Sequence, residues 1–289
     1  MRDSLNQHTL FNTLAMIRPE VTSLLLVCEG DDDHFVIQNH KTDDMYLLLG
    51  NGKQRSLAAA KLADERSVPG VVFLIDSDYD PFVSPGTEYP PNVIASQMHD
   101  LFMDIITEDA GLLDSVIQTH VRSTVRRTGK AISSSQVREQ ALALASAVTP
   151  LRLVNEKQSL GLRLSDFPFG DLDAISPSVE SIADAALRRS KGNSISVSDL
   201  ACMVRLEDSH FGASRDRLVG DHDYFRAIAQ VLSKLHDVKG VTAALLFDSF
   251  IAALNRDCSA VMYTNWYDKI VQLGLLCGHD AFSCPCRVA

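Results

Sequence analysis

Acidic side chains gather at two places in the first eighty residues, and at each place they follow a short apolar run. Glu29 comes directly after the run Thr22–Cys28, and Asp33 lies four residues further on. Three more acids alternate directly after the run Val71–Ile75, namely Asp76, Asp78 and Asp80. Carboxylates that lie close together repel each other, and a cation offsets that repulsion. Oxygen ligands favour a hard ion such as Mg²⁺ or Mn²⁺, which can activate water and neutralise phosphate charge.

The elements around these acids alternate between strand and helix. Three short apolar runs predict buried strands: Thr22–Cys28, Met45–Leu49 and Val71–Ile75. Between them, Asp31–Asn39 and Lys53–Arg66 have the composition of helices. Apolar strands that alternate with helices are typical of a parallel sheet covered on both faces. Ligand groups in such sheets lie at the carboxyl ends of the strands, so we expect the acids to meet at one edge.

A glycine-rich turn places a lysine at the start of the second helix. The turn Gly50–Lys53 resembles the end of a P-loop, but Leu47 stands where the first glycine belongs. Gln54 also replaces the Ser or Thr that would hold Mg²⁺, so we do not expect the chain to hydrolyse ATP by itself. Lys53 could contact a scissile phosphate as a point charge, and a solvated lysine at a helix start is the alternative.

The remainder of the chain is mainly helical in pattern. Helical spacing covers the stretches Asn92–Asp109, Ser135–Val148, Ser178–Ser190, Ser196–Glu207, Tyr224–His236, Val241–Arg256 and Ala260–Leu276. The stretch Leu151–Leu164 alternates instead, which predicts a β-hairpin around Glu156–Ser159. The predicted fold class is therefore α/β. It consists of a parallel sheet in a domain over residues 20–110, followed by a mainly helical region over residues 111–289 with a small β-hairpin.

The charge of the chain does not by itself favour nucleic-acid binding. Its 289 residues include 27 Lys and Arg against 37 Asp and Glu, a formal net charge of −10. A local exception is a basic cluster formed by Arg122, Arg126, Arg127, Lys130 and Arg138. Such residues contact phosphates in nuclease grooves, although a solvated face is the commoner reason for a charge run. A second cluster is Arg188, Arg189 and Lys191.

Apolar runs and cysteine usage predict a cytoplasmic protein. The longest continuous apolar runs have about five residues, far below the roughly 20 that a spanning helix needs. The six cysteines show no disulfide-framework spacing. Four residues near the end of the sequence could hold zinc, but their spacing is not a standard one and a plain tail is the alternative: Cys277, His279, Cys284 and Cys286.

Taken together, the motifs resemble those of TOPRIM domains. The matching segments are Val27–Gly30 with Asp33 and Phe35, Gly50-x-Gly52-Lys53, and Ile75-Asp76-x-Asp78-Tyr79-Asp80. The resemblance is to the OLD-family nucleases and, more closely, to the stand-alone TOPRIM effectors (AriB-like proteins) of the PARIS anti-phage systems. Two departures are Phe102, which follows His99-Asp100-Leu101 where the subgroup has a glutamate, and Asp221, which interrupts a Gly-His-Asp motif.

The resemblance implies a Rossmann-like TOPRIM sheet and a set of site residues. It assigns catalysis to Glu29, Asp76, Asp78 and Lys53. It assigns Mg²⁺ or Mn²⁺ binding to Glu29, Asp33, Asp76, Asp78 and Asp80. His99 and Asp100 are further polar candidates, which we expect on a helix surface. The basic residues Arg122, Arg126, Arg127 and Lys130 are the candidates for nucleic-acid contact.

The resemblance also implies a function. It predicts an Mg²⁺-dependent endonuclease that cleaves phosphodiester bonds in RNA, with tRNA as the leading substrate, or in DNA. Such an enzyme acts as a toxic effector in anti-phage defence, is controlled by a partner ATPase of the AriA type and is released as a homodimer. The alternative is a TOPRIM module that binds a partner protein without cutting. Primase-like nucleotidyl transfer is a third possibility, but the zinc-binding and polymerase-associated regions that normally accompany it are not found.

Overall fold

The computed structural model describes residues 7–283 except Thr87, Phe211 and Cys258. The described residues form two compact units. The sheet unit contains the residues up to Ser77, Gly86–Asp109 and the residues from Ile251 onward. The helical unit contains Asp78–Pro85 and Ala110–Phe250. The units therefore interleave along the chain, whereas the sequence alone suggested a single boundary after residue 110.

The sheet has four parallel strands among the described residues, in the order β2-β1-β3-β4. The strands are β1 (Leu24–Cys28), β2 (Met45–Leu49), β3 (Val71–Ile75) and β4 (Val93–Ala95). The predicted parallel α/β sheet is confirmed, and two of its strands have the predicted bounds. β1 begins two residues later than the apolar run. β4 was not expected, because residues 92–109 have helical spacing.

The helices follow in chain order and are listed with their bounds. They are α1 (Gln7–Ile17), α2 (Asp31–Gln38), α3 (Lys53–Glu65), α4 (Asp80–Val83), α5 (Leu101–Glu108), α6 (Ala110–Thr128), α7 (Ser134–Ser146), α8 (Thr149–Gln158), α9 (Val179–Arg189), α10 (Val197–Asp208), α11 (Asp221–His236), α12 (Ala243–Leu254), α13 (Ser259–Met262) and α14 (Asn265–Leu276). Short 3₁₀ helices cover Phe169–Asp171 and Gly212–Leu218. None of the described helices is both long and apolar enough to cross a membrane.

The two faces of the sheet are covered by different helices. On one face, buried side chains of α1 and α3 pack against alternate residues of β1 and β3, including Leu14, Leu25 and Phe73. Residues of the other parity point to the opposite face. α2 packs against β1 and β2, and α14 packs against β4. Right-handed crossovers from β1 to β2 and from β2 to β3 run in opposite directions, which places α2 and α3 on opposite faces.

Gly50 ends β2 at a point where no larger residue fits. A Cβ at this position would lie 2.0 Å from the Ser56 hydroxyl and 3.1 Å from the Cys28 carbonyl oxygen. We expect Gly50→Ala to lower the free energy of unfolding by about 1–3 kcal/mol, since overpacking forces neighbours to move. Urea denaturation measures this. Because the buried Ser56 hydroxyl has no hydrogen-bond partner among the described residues, Gly50→Ala/Ser56→Ala should recover much of the loss. An equally unstable double variant would contradict the steric explanation.

The predicted β-hairpin over Leu151–Leu164 is wrong, because α8 occupies its first half. Pro150 lies in the first turn of α8, where proline is favoured, and Leu151, Leu153 and Val154 are buried. Ser159 adopts a left-handed conformation and ends the helix. Short apolar patterns are ambiguous between strand and helix, and here the alternation came from a buried helix face.

Two other helix predictions need correction. The predicted helix over Asn92–Asp109 begins only at α5, and its first residues form β4 because they pair with β3. The predicted helix over Ala260–Leu276 is divided into α13 and α14 by Thr264, whose buried side chain caps α14. Ser178 caps α9, Ser196 caps α10 and Ser133 caps α7. α6 is an additional helix that the pattern analysis did not identify.

Candidate active site

The structure brings Glu29 and Asp76 into direct contact. β1 and β3 are neighbours in the sheet, with Cys28 paired to Leu74, so the residues that follow each strand emerge side by side. The backbone N–H of Asp76 donates a hydrogen bond to Glu29 Oε2, with an N–O distance of 3.1 Å. Parallel strand order therefore places two carboxylates at one edge, as the sequence predicted.

Lys53 lies at the same edge. It is the first residue of α3, and its Nζ donates a hydrogen bond to the Ser77 carbonyl oxygen at 2.9 Å. The side chain is half-buried rather than freely solvated. The ammonium group of Lys53 is thereby held beside Ser77, the residue after Asp76. From there it can contact an anion that binds at this edge.

Two neighbouring elements fix the Asp76–Ser77 segment. The N–H of Leu101 donates to Asp76 Oδ1 at 3.1 Å. The N–H of Ser77 donates to Ser96 Oγ at 2.8 Å, and Ser77 Oγ donates to the Met98 carbonyl oxygen. The end of β4 and the start of α5 thus hold the segment after β3. The sequence does not indicate this support, because residues 92–109 have helical spacing and β4 is defined by its pairing with β3.

Asp33 lies next to Glu29 in a crowded negative environment. It is 8% exposed, and its Oδ2 accepts a hydrogen bond from the N–H of Gly30 at 3.0 Å. Burial raises the pKa of Asp33 to about 7, the Gly30 hydrogen bond opposes the rise, and repulsion from Glu29 and Asp100 adds to it. Asp33 is therefore both the N-terminal cap partner of α2 and a member of the acidic group.

Asp78 and Asp80 belong to the helical unit. Asp78 has a left-handed backbone, with φ of 49°, and Asp80 is the first residue of α4. Within the sheet unit the structure thus assembles Glu29, Asp33, Lys53 and Asp76, and it assigns the last two predicted ligands to the other unit.

Asp100 and His99 do not lie on a helix surface, which corrects that expectation. Asp100 is 6% exposed and caps α5, accepting a hydrogen bond from the N–H of Met103 at 2.8 Å. His99 Nδ1 lies 3.4 Å from Asp100 Oδ2. An aspartate immediately before an apolar helical run is a typical cap, and this signal could have located it. Phe102 is a buried core residue, so it supplies no ligand.

Asp104 is a second buried acid of α5, and sequence reasoning missed it. It is 4% exposed and accepts hydrogen bonds from the N–H groups of Gln97 and Met98. Burial raises the pKa of Asp104 to about 6, although these hydrogen bonds lower it, and repulsion from Asp100 contributes to the rise.

The raised pKa of Asp104 predicts that the difference in stability between the wild type and Asp104→Asn depends on pH. Because the folded-state pKa of Asp104 exceeds its ordinary value of 3.8, the folded protein binds this proton more tightly than the unfolded chain. Ionised Asp104 therefore lowers the free energy of unfolding. This loss is complete above pH 6 and disappears below about pH 4. The stability of the wild type relative to Asp104→Asn should therefore rise by up to about 3 kcal/mol as pH falls from 7 to 4. Denaturation of both proteins across this range tests it; a constant difference would contradict it.

A surface cleft opens beside Glu29. Its lining residues come from the ends of β1 and β2 and from the start of α3, and they are Glu29, Gly30, Asp31, Leu49, Asn51, Gly52 and Arg55. The sequence predictions do not include Arg55, although its position in the first turn of α3, after the glycine-rich turn, could have indicated it. The cleft gives a ligand access to Glu29 and places a second cation nearby.

The donor set at this edge fits one kind of metal site. Within residues 7–283, leaving aside the three positions that the structure does not describe, no group of three or more His, Cys, Asp or Glu side chains is arranged to hold a metal ion. Mg²⁺ is commonly held by only one or two carboxylates together with water and substrate phosphates. Glu29 and Asp76 follow neighbouring strands and are linked through the Asp76 backbone N–H, so they are candidates to supply those two carboxylates.

Most of the predicted basic cluster is exposed. Arg122, Arg126 and Arg127 are exposed on α6, and Lys130 is exposed just beyond it. Arg127 lies 3.5 Å from Asp237. Arg138 is different, since its guanidinium makes a bidentate ion pair with Asp114 at 2.6 and 3.2 Å. Arg138 therefore holds α6 to α7 and is removed from the candidate phosphate-binding set.

The other sequence-derived candidates are placed as follows. Arg188 of the second basic cluster pairs with Asp171 and Asp184. Of the candidate zinc ligands, Cys277 is exposed, and Cys284 and Cys286 lie outside the described residues. Comparison of the sequence with models of known protein families and with curated proteins gives no match.

Proposed function

We propose that the sheet is a TOPRIM domain and that the chain is an Mg²⁺- or Mn²⁺-dependent nuclease. The observation that carries this proposal is the hydrogen bond from the Asp76 backbone N–H to Glu29 Oε2, which fixes the Glu29 carboxylate beside the start of the Asp76 segment, at the edge where Lys53 lies. Two acids that can hold a divalent ion and a lysine that can contact phosphate are groups suited to hydrolysis of a phosphodiester. The sequence resemblance is the source of the TOPRIM assignment, and the contact supports the proposal that Glu29 and Asp76 belong to one site.

Each side chain has a defined part in the proposed reaction. Glu29 accepts a proton from the attacking water, and the Asp76 N–H fixes the orientation of its carboxylate for that role. Asp76 is itself oriented by the Leu101 N–H. Lys53 offsets negative charge on the phosphate. A divalent ion held by Glu29 and Asp76 would lower the pKa of a bound water and neutralise phosphate charge.

The biological setting is proposed from the sequence resemblance. The substrate is RNA, with tRNA first, or DNA, and the protein is a toxic effector of anti-phage defence. A partner ATPase of the AriA type holds it inactive, and it acts as a homodimer. Co-purification with the product of a neighbouring gene tests the partner directly.

The activity itself is tested with purified protein. Total tRNA, single-stranded DNA and plasmid are each incubated with Mg²⁺, with Mn²⁺ and with EDTA. The proposal expects cleavage of one substrate class that requires the divalent ion. Cleavage of none of them in either metal would overturn it, and cleavage that persists in EDTA would remove the metal from it.

The exposed basic residues of α6 give a separate prediction. Nucleic-acid affinity falls with salt with a log–log slope of about −0.7 to −0.9 per phosphate contacted. Arg122→Ala/Arg126→Ala should therefore flatten that slope by about 1.4 to 1.8 in a fluorescence anisotropy titration. The control is Arg188→Ala/Arg205→Ala, which removes the same charge from residues paired with Asp171 and Glu180. An unchanged slope in the first variant would rule out this interface.

A binding module that docks a partner without cutting is the second candidate. It is favoured by Phe102, which is buried where the related subgroup has a glutamate. The two candidates differ in one result: a binding module retains ion-dependent nucleic-acid or partner binding while it cleaves no substrate.

A further inference from the structure

Arg55 differs from the other half-buried lysines and arginines of the described residues, because it has no partner there. Each of the others donates to a carbonyl oxygen or, as Arg152 of α8 does with Asp223 of α11, pairs with a carboxylate. Arg55 makes no hydrogen bond or ion pair within residues 7–283, the three positions that the structure does not describe left aside. Charges that are withdrawn from water normally gain a partner in return. A half-buried guanidinium without one indicates a binding site for an anion.

Arg55 lies on the wall of the cleft beside Glu29. The cleft encloses about 360 Å³, within the range of about 300–1,000 Å³ that is usual for ligand sites. It can therefore take a unit of a larger molecule and not only water or an ion. Of the described residues that line the cleft, Arg55 is the single cation, and Glu29 and Asp31 are the acids. Arg55 pairs with neither acid, so its guanidinium is available to an anion in the cleft.

Arg55 and Lys53 place two cations at different points of the same sheet edge. They are two residues apart on α3 and therefore lie on different sides of the helix. Lys53 reaches the end of β3, where it donates to the Ser77 carbonyl oxygen. Arg55 shares the cleft with the residues that follow β1 and β2. Because β1 lies between β3 and β2, Glu29 at the end of β1 has one cation on each side along the edge.

We propose that Arg55 binds a backbone phosphate of the substrate, and that this phosphate is not the one that Lys53 contacts. The inference rests on the proposed function and narrows its substrate to a polynucleotide, since a mononucleotide has no second backbone phosphate. The planar guanidinium can hold two phosphate oxygens with parallel hydrogen bonds. The substrate strand then crosses the sheet edge past Glu29, with one phosphate at each cation.

The test measures binding of the substrate that the wild type cleaves, with EDTA present so that the bound strand stays intact. Fluorescence anisotropy gives the dissociation constant of each full-length variant over a range of salt concentrations, and circular dichroism checks folding. Arg55→Met removes the charge and keeps an unbranched side chain with good helix propensity. Arg55→Lys keeps the charge and removes the planar fork. The matched control is Lys61→Met, because Lys61 lies further along the same helix and its side chain is 74% exposed.

The two Arg55 variants should differ from each other and from the control. We expect Arg55→Met to bind about 10- to 100-fold more weakly than the wild type, the range for lost hydrogen bonds to a charged group. It should also flatten the log–log salt slope by about 0.7–0.9, the value for one phosphate contact. Arg55→Lys should keep the slope and lose part of the affinity, because an ammonium group makes no bidentate contact. Lys61→Met should match the wild type in both quantities.

The double variant Lys53→Met/Arg55→Met decides whether the two cations hold different phosphates. Two separate phosphates predict a salt slope that is flatter than that of the wild type by about 1.4–1.8. A slope no flatter than that of Arg55→Met alone would overturn the inference. Wild-type affinity and slope in Arg55→Met would also overturn it, and both results would leave the proposed nuclease standing. A wild type that cleaves no substrate would overturn the proposed function and the inference with it.

Discussion

Glu29→Gln is expected to lower Mg²⁺-dependent cleavage by about 10²- to 10⁴-fold, the range typical for loss of a general base. The amide neither takes a proton from water nor offers a charged ligand to a cation. Its oxygen can still accept the hydrogen bond from the Asp76 N–H that Glu29 Oε2 accepts in the wild type. The substitution therefore removes the proton acceptor and the charged ligand, while it preserves the hydrogen bond between the ends of the two strands. Single-turnover cleavage of the preferred substrate measures the loss.

The matched control for Glu29 is Asp32. Asp32 is an exposed acid in the first turn of α2, three residues further along the chain. Asp32→Asn removes the same charge from the same neighbourhood, and we expect its cleavage rate to stay within a few-fold of the wild type. Equal effects of the two substitutions would mean that overall charge, and not the position of Glu29, governs the rate. Full activity in Glu29→Gln would exclude Glu29 from catalysis.

Arg152→Met is expected to lower the free energy of unfolding by about 3–5 kcal/mol, the usual cost of leaving a buried charge without its partner. The uncompensated charge is that of Asp223, which has almost no contact with solvent. Chemical denaturation followed by circular dichroism measures the change. This loss should exceed that of the other ion-pair substitutions in the helical unit.

Two further variants distinguish the effect of leaving a buried charge unpaired from the effect of losing any ion pair on the free energy of unfolding. Arg188 also pairs with acids, but its side chain is 56% exposed, so Arg188→Met should cost less than about 1 kcal/mol. The double variant Arg152→Met/Asp223→Leu removes both charges together. It should recover most of the stability, since apolar replacement of a whole buried pair is often neutral. A double variant as unstable as Arg152→Met would show that the cost comes from packing.

The sheet could be predicted from the sequence because its strands are short, continuous apolar runs. Met45–Leu49 and Val71–Ile75 have the same bounds in the structure as in the pattern. Parallel order then dictates that the residues after β1 and β3 emerge together, which explains why Glu29 and Asp76 lie close enough for a hydrogen bond. The start of α3 at Lys53 could likewise be predicted, because Gly50 and Gly52 interrupt the pattern just before it.

The rest depended on tertiary contacts that no local pattern encodes. β4 has only three residues and is defined by its pairing with β3. The alternating stretch at Leu151 became a helix because one face of it is buried against other helices. Asp104 and Asp223 have a polar character that suggests solvent exposure, and only the fold shows that they are buried. The assignment of Asp78 and Asp80 to the helical unit has the same origin.

The most direct test is a crystal structure of the wild-type protein soaked in Mn²⁺, with anomalous scattering recorded to locate the ion. The account predicts an anomalous peak with Mn–O distances of about 2.1 Å to carboxylate oxygens of Glu29 and Asp76. The same soak of Glu29→Gln should show that peak weakened or lost. Well-ordered density for both side chains with no peak between them, at a Mn²⁺ concentration that supports cleavage, would contradict the central claim.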